Sequence, residues 1–394
     1  PPLINWTSAM SLSPVAAALA LCALLLPVTI AGSNLALGLL ALALLWRART
    51  DGGRILAAWR GEPALAALAL YAVAGAIAAA LSAAPAESLR DALKDWHRFW
   101  ALGLFVAALA LEPEAPLRPA LGLSFAAMAL YGIIQTALGG EPHGMLVRAH
   151  GFVHAVVYGE QMALAALAGA CVLLRPTTQA PRRAAAVFTA LVFAALVLNQ
   201  TRMALLAAFA GFVFVSLLEP RARRWALAAL LLVAAVGAAW EFMPNGGRAL
   251  SSSFAHYDPH NPHQARWALW NTAVRMFSAH PATGVGPGGY RRLFTDYHPG
   301  PLDNEFAWGS AHNLYLHQLA ERGLLGALAL LLLCAVFLAR AMRAVRAEAD
   351  TRALWAAGAV AVLLAMSVTE TSFQNEQFSA LFLLIWAWGT VSLR

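Results

Sequence analysis

The stretch that decides the fold is GLLGALALLLLCAVFLA, residues 323–339, which contains no charged side chain. Directly before it stands SAHNLYLHQLAER, residues 310–322, which brings imidazole, amide, carboxylate and guanidinium groups into one short helical stretch. A membrane-spanning helix needs roughly 20 predominantly apolar residues. The two stretches together predict a polar helix that stands at the mouth of a membrane span.

The composition of the whole chain agrees with that prediction. Hydrophobic residues make up 60% of the 394 residues and charged residues 12%, whereas soluble domains carry about 25% charged residues. We therefore expect an all-α integral membrane protein. The apolar runs predict twelve spans, at residues 14–30, 33–46, 63–82, 96–111, 119–138, 153–174, 184–200, 203–218, 225–242, 322–339, 353–369 and 378–393. The first run is expected to be a retained span rather than a signal peptide, because other apolar runs follow it at once.

The charge distribution predicts the orientation of these spans. With both termini placed in the cytoplasm, the short loops on that side and Arg394 hold 16 basic residues, against five in the short outer loops. That asymmetry satisfies the positive-inside rule. The net charge of +7 thus comes from arginines between apolar runs, and it indicates topology rather than a nucleic-acid partner. The three cysteines all fall within apolar runs and indicate no disulfide framework.

The outer face carries the candidate chemistry. We expect residues 1–242 to form spans one to nine, residues 243–321 a large and partly helical outer loop, and residues 322–394 the last three spans. All 11 histidines map to outer loops or their flanks. In a Gram-negative inner membrane this face is periplasmic, so we expect a periplasmic active site in a multi-pass inner-membrane protein.

Two arginines are candidate binding residues. Arg202, in LNQTRMALLAAF (residues 198–209), separates two apolar runs with almost no loop around it. A charge at such a depth costs roughly 2.5–3.5 kcal/mol at a helix centre and is a functional candidate by default. Arg266 opens ARWALWNTAVRMFSAHPATGVGPGGY (residues 265–290), which predicts an amphipathic helix that ends at Pro281. Arg275, on the same helix, has an equally good explanation as a lipid-headgroup contact.

The polar helix before residue 323 supplies the candidate catalyst. His312 stands at its start, with Tyr315 on a similar face, while Asn313, His317 and Glu321 follow at i, i+4 and i+8 along one stripe. A lone histidine is more often a satisfied polar residue than a catalyst, but the two candidate arginines on the same face favour a catalytic role for His312, with the other four as supporting residues. Glu321 is expected to help fix the helix at the membrane mouth.

Two other chemistries are available on residue types. HYDPHNPHQ, residues 256–264, contains three histidines, but its two prolines break any helix that would present metal ligands at i and i+4. We therefore expect no metal site and no cofactor. A carboxylate-pair glycosidase would draw on Asp258, Asp296, Asp303 and Glu305, whose separation the sequence does not define.

Three stretches carry a family resemblance. Thr201–Arg202, residues 266–290 and HNLYLHQLAERGLLG (residues 312–326) resemble, in order and spacing, the O-antigen ligase/polymerase superfamily of bacterial inner-membrane glycosyltransferases. The resemblance implies a fold like that of GT-C glycosyltransferases, with His312 as the catalytic residue and Arg202 and Arg266 as diphosphate-binding residues. It also implies metal-independent, inverting transfer of O-antigen polysaccharide from undecaprenyl diphosphate to lipid A–core oligosaccharide.

The chemistry of these side chains agrees with that implication. Arginine is always protonated and offers a fork that matches phosphate oxygens, and an imidazole, with an unperturbed pKa of about 6.5, suits a general base near neutral pH. An O-antigen polymerase or a protein O-oligosaccharyltransferase would share this machinery and differ in its acceptor. A polysaccharide flippase or transporter is the rival from another class, but the chain shows no internal repeat and its polar residues cluster outside.

Overall fold

The computed structural model describes residues 12–139, 148–175, 182–220, 222–224, 265–300, 308–347 and 350–391. Within these ranges the regular structure is helical, without strands. The helices are α1 (Pro14–Leu25), α2 (Ile30–Arg60), α3 (Pro63–Ala80), α4 (Pro85–Leu111), α5 (Leu117–Ala137), α6 (Ala155–Leu174), α7 (Arg182–Asn199), α8 (Arg202–Leu218), α9 (Ala265–Ala279), α10 (Gly289–Arg292), α11 (Phe294–Tyr297), α12 (Leu314–Ala347), α13 (Thr351–Met366), a 3₁₀ turn (Ser372–Gln374) and α14 (Glu376–Thr390).

The helices are those of an integral membrane protein. Six of them, α2, α3, α5, α6, α7 and α12, are long and apolar enough to cross a membrane, and α1, α8 and α13 are shorter apolar helices. Every predicted span except 225–242 falls on a described helix, and that range lies outside the described residues. The all-α membrane class is therefore confirmed, while the count of twelve spans and the position of the large loop stay predictions.

One predicted loop is helical. Residues 47–62 were expected to form a cytoplasmic loop, but α2 continues to Arg60. The apolar run predicts only the part of a helix that lipid would cover. Beyond it, Arg47 pairs with Asp51 one turn away at 2.9 Å, and Arg54 donates to the Ala110 carbonyl at 3.0 Å. These contacts stabilise a polar extension that hydropathy does not reveal.

The local sequence explains several helix starts. Helices α1, α3 and α4 begin at a proline, whose missing N–H is not needed in the first turn. The Asn375 side chain accepts a hydrogen bond from the Phe378 amide at 2.9 Å and caps α14. Every residue of α14 from Gln377 to Thr390 is buried, and this helix packs against α13 and α4. It forms the centre of the bundle.

A kink divides α12 at the boundary between the polar and the apolar stretch. Gly323 has φ +58°, and a Cβ atom there would collide with the backbone of Ala282. The turn after α9 supplies hydrogen-bond partners for the backbone near the break. The amides of Leu324 and Leu325 donate to the carbonyls of Pro281 and Ala282, at 2.9 and 3.2 Å. In the other direction, the amides of Val285 and Gly286 donate to the carbonyls of Ala320 and Glu321, both at 2.9 Å.

A buried ionic network holds the polar half of α12 against α4. Arg322 Nη1 lies 2.7 Å from Asp95 Oδ2, with both side chains at most 3% exposed. The other oxygen of Asp95 pairs with Arg98 at 3.0 Å, and Arg98 Nε donates to the Phe373 carbonyl at 2.6 Å. Ser372 in turn donates to the buried Glu160 carboxylate at 2.5 Å. The network therefore fixes the segment between α13 and α14 relative to the start of α12.

Candidate active site

Three separate segments meet at the carboxylate of Glu370, in the turn after α13. Glu370 Oε2 lies 2.8 Å from His312 Nδ1, and Glu370 Oε1 lies 3.1 Å from Arg266 Nη2. The Glu370 side chain is 12% exposed, while those of His312 and Arg266 are 32% and 49% exposed. A largely buried anion thus holds two accessible nitrogen-bearing side chains next to each other.

The position of His312 follows from how α12 starts. Asn313 Oδ1 accepts a hydrogen bond from the Leu316 amide at 2.9 Å and caps the helix. The Leu314 amide donates to the Ser367 carbonyl at 2.8 Å, and the Tyr315 hydroxyl donates to the Leu364 carbonyl at 3.0 Å. These bonds tie the start of α12 to the end of α13, and so they place His312 opposite Glu370.

The backbone at His312 is unusual for a residue other than glycine. Its φ is +46°, in the left-handed region, which costs free energy and persists only where neighbouring contacts impose it. The Trp308 ring meets the imidazole edge-on, with 5.6 Å between ring centroids. The hydrogen bond to Glu370 and this aromatic contact fix the orientation of the imidazole.

The contact with Glu370 also assigns the tautomer of His312. A carboxylate accepts hydrogen bonds and donates none, so Nδ1 carries the proton. In the neutral ring Nε2 is then the unprotonated nitrogen, with its lone pair available to a substrate hydroxyl. If His312 gained a second proton, the adjacent carboxylate would stabilise the imidazolium. The pair has the arrangement that a general base requires.

Arg202 lies at the same end of the bundle but does not join this cluster directly. It is the first residue of α8 and is exposed, and it makes no hydrogen bond or ion pair to another residue in the described ranges. Helices α8 and α13 pack antiparallel, because Gly211 contacts Val362 while Val215 contacts Gly358. The start of α8 therefore lies at the end of the bundle where α13 finishes and Glu370 follows.

A further arginine stands beside Arg202. Arg148 donates from Nη2 to the Thr201 hydroxyl and from Nε to the Asn199 carbonyl, both at 3.0 Å. The backbone between them contains Gln200, whose φ of +58° is also left-handed. Arg148 thus secures the short turn that presents Arg202. Arg148 is one of the five basic residues that the sequence predicts in the short outer loops.

His317 and Glu321 face away from the cluster. Their side chains are buried and lie 3.4 Å apart, one helical turn from each other. Glu321 also accepts a hydrogen bond from the Tyr290 amide at 3.2 Å, and the Tyr290 ring packs edge-on against His317. Burial, and then the charge of Glu321, raise the pKa of Tyr290, so the phenol stays protonated and donates to the Leu269 carbonyl at 2.8 Å. The pair holds α12 against the turn that contains α10.

Glu370 was not predicted from the sequence. It lies in TETSFQNEQF, residues 369–378, 58 positions after His312. The available signal was a carboxylate in a short outer segment between the last two predicted spans, on the same side as His312. The three histidines at 256, 260 and 263 lie outside the described residues, and within the described ranges no three His, Cys, Asp or Glu side chains group as metal ligands.

Comparison with known proteins gives one match over part of the chain. A family model described as O-antigen ligase matches residues 185–331. The matched range is less than half of the chain, and it supports an assignment to the O-antigen ligase superfamily. The matched range includes Arg202, Arg266 and His312 and stops before Glu370. No curated protein matches the chain in a sequence search.

The matched family implies an enzyme of the O-antigen ligase/polymerase type that uses lipid-linked glycans, and the apolar helices fit a multi-pass membrane protein. In general the family implies a lipid-linked polysaccharide and lipid A–core as partners. The cluster on Glu370 lies at the start of α12, just after the end of α13.

Proposed function

We propose that the protein is an O-antigen ligase, which transfers O-antigen polysaccharide from undecaprenyl diphosphate to lipid A–core oligosaccharide. The observation that supports this most directly is the bridge of Glu370 between His312 and Arg266. This bridge places His312, the proposed base for the acceptor hydroxyl, next to Arg266, a cation for the leaving diphosphate. The reaction needs both, and neither a metal nor another cofactor is required to supply them.

In the proposed reaction an acceptor hydroxyl attacks the anomeric carbon of the donor glycan. Its proton moves to His312 Nε2 as the new carbon–oxygen bond forms, and the Glu370 carboxylate stabilises the imidazolium. The bond between the anomeric carbon and the phosphate oxygen breaks, and undecaprenyl diphosphate leaves with the electron pair. A single displacement of this kind inverts the anomeric centre. General-base assistance typically contributes about 10²–10⁴-fold to the rate.

The leaving diphosphate gains negative charge as it departs, and Arg202 and Arg266 are the proposed groups that stabilise it. Arg266 gives one nitrogen to Glu370 and is half exposed, so its other N–H groups are available to phosphate oxygens. Glu370 itself would repel the diphosphate, but His312 and Arg266 cover both of its oxygens. In this arrangement the Glu370 carboxylate is shielded from the donor, and the Arg266 guanidinium is directed outward.

The topology belongs to the same proposal. Residues 243–321 form the periplasmic loop, the termini lie in the cytoplasm, and the site opens to the periplasm of the inner membrane. The break at Gly323 lies next to the proposed boundary at residue 322. On this topology the donor headgroup and the acceptor sugar reach His312 from the same side.

The test uses purified protein, an undecaprenyl-diphosphate glycan, and three acceptors in turn: lipid A–core, a second glycan and an acceptor protein. We expect the product on lipid A–core, and its loss by at least 10²-fold in His312→Ala. His280→Ala, on an exposed histidine in the same loop region, is the matched control and should stay active. Product on another acceptor alone would indicate a polymerase or a protein oligosaccharyltransferase, and glycan transport without a new bond would contradict the enzyme.

A further inference from the structure

A buried arginine on α4, Arg98, holds the 3₁₀ turn that follows Glu370. Its Nε donates to the Phe373 carbonyl at 2.6 Å, and its Nη2 donates to the Gln374 carbonyl at 2.5 Å. Its Nη1 pairs with Asp95 at 3.0 Å, and the side chain is 3% exposed. A buried charge is costly unless it is paired and hydrogen-bonded. All three nitrogens have partners here, so the guanidinium is held in one orientation against the turn.

The turn transmits this hold to Glu370 through the backbone. The Gln374 amide donates to the Thr371 carbonyl at 2.8 Å, and Thr371 directly follows Glu370. On the other side, the Glu370 amide donates at 2.9 Å to the carbonyl of Met366, the last residue of α13. Glu370 therefore lies between the end of α13 and a turn that Arg98 fixes.

A second buried contact secures the same turn from α6. The Ser372 hydroxyl donates to Glu160 Oε1 at 2.5 Å, and both residues are buried. Ser372 is the first residue of the turn, and Arg98 binds the carbonyls of the second and third. Each residue of the turn thus has a hydrogen bond to a neighbouring helix.

Helix α4 also holds the helix that begins beside His312. Asp95, one turn before Arg98, lies 2.7 Å from Arg322 of α12. Both members of the His312–Glu370 pair, whose nitrogen and oxygen are 2.8 Å apart, are therefore tied to the same part of α4. Because a contact of about 3.6 Å is no longer a hydrogen bond, a relative shift of about 0.8 Å would break this pair.

We propose that Arg98 is a positioning residue for the proposed glycosyl transfer. It holds the turn after Glu370, and so it keeps the Glu370 carboxylate within hydrogen-bond distance of His312. Arg98 acts through Glu370 and not on the reacting atoms. This role rests on the proposed function, but the geometry that Arg98 sets can be measured without a substrate.

The first measurement is the transfer rate of Arg98→Lys, corrected for folded protein. Lysine keeps the charge but loses the fork that binds two carbonyls and Asp95. We expect kcat to fall roughly 10- to 100-fold, because misplacing a catalytic group by about 1 Å can cost about 10²-fold, with little change in the KM for the donor. In a Glu370→Gln background the same substitution should have little further effect, since residues that act through one contact are not additive.

Arg340→Lys is the matched control for this substitution. Arg340, near the other end of α12, also binds a buried carboxylate, that of Glu62, at 2.9 Å. It has no contact with the turn after Glu370, and its replacement should leave kcat unchanged. The comparison separates the loss of a buried ion pair in general from the loss of the one that holds the turn.

The second measurement is ¹⁵N NMR of protein labelled at histidine, with the His312 signal identified by its absence in His312→Ala. The neutral ring of the wild type should carry its proton on Nδ1, whereas Arg98→Lys should show a mixture of both tautomers. If Arg98→Lys does not fold, Ser372→Ala removes only the hydroxyl bound to Glu160. It should change the tautomer in the same direction and lower kcat about fivefold, the equivalent of one ordinary hydrogen bond.

Three results would overturn the proposal. They are a folded Arg98→Lys protein with wild-type kcat, an equal fall of kcat in the wild-type and Glu370→Gln backgrounds, and an unchanged tautomer of His312. Absence of transfer by the wild type to every acceptor would instead refute the proposed function. The NMR comparison would then still decide whether Arg98 sets the geometry of the His312–Glu370 pair.

Discussion

Replacing Glu370 by glutamine tests the arrangement on which the proposed mechanism depends. Glutamine has nearly the same shape, so α13 and the segment after it should fold as before. Its amide can donate as well as accept, and it then no longer requires the proton of His312 to be on Nδ1. The substitution also removes the negative charge that would stabilise the imidazolium and that anchors Arg266.

The size of the effect follows from the contacts. Hydrogen bonds to charged groups contribute about 1.5–3 kcal/mol, and the 2.8 Å bond to His312 becomes a fully charged pair only when the base is protonated. Since about 1.4 kcal/mol corresponds to a tenfold change in rate, kcat should fall roughly 10- to 150-fold. The KM for the donor should change less, because in the proposed mechanism the donor is held mainly by Arg202 and the other N–H groups of Arg266.

The assay is the transfer rate at saturating donor, corrected for the amount of folded protein. Glu376→Gln is the matched control: it is the same substitution in the same segment, at the first residue of α14, and should leave kcat unchanged. A folded Glu370→Gln protein with wild-type kcat would refute the claim that Glu370 orients and stabilises the base.

The remaining predictions concern charge and backbone. Arg202→Lys and Arg266→Lys should each reduce turnover substantially, since lysine keeps the charge but loses the fork, whereas Arg275→Lys should stay active; wild-type rates in all three would remove the first two from the site. Transfer should persist in EDTA, because the proposed mechanism assigns the charge stabilisation to the two arginines, and rescue of a lost activity by Mg²⁺, Mn²⁺ or Zn²⁺ would contradict this. Gly323→Ala should destabilise the protein by about 1–3 kcal/mol, because its left-handed φ is strained for alanine and the Cβ would collide with Ala282; an unchanged midpoint of thermal unfolding would show that the kink is not required.

The part of the fold that the sequence predicts is its set of apolar helices, which hydropathy reveals. Helices such as α6 are apolar over most of their length, and their predicted and observed ranges agree to within a few residues. The sequence does not predict the polar extension of α2 after residue 46. Ion pairs and a contact with the end of α4 stabilise this extension, and a search for apolar runs detects neither. The kink at Gly323 coincides with the change from polar to apolar sequence, and a glycine is required there because φ is positive.

The site could be predicted only in part. Arg202, Arg266 and His312 stand out because a charged or titratable group next to an apolar run is costly without a role. Glu370 has the same property, but its role depends on contacts with residues 58 and 104 positions away, and a sequence without a structure does not reveal such pairs. The periodicity of His317 and Glu321 correctly placed them one turn apart but did not show that this face points inward.

The hydrogen bonds around Gly323 limit which parts of the protein can move during a reaction cycle. Four backbone bonds join the turn at residues 281–286 to α12, and each buried group left without a partner would cost about 1–3 kcal/mol. That turn therefore couples α9 to the polar half of α12. We expect Arg266, near the start of α9, and His312, just before α12, to keep their relative positions when either helix moves.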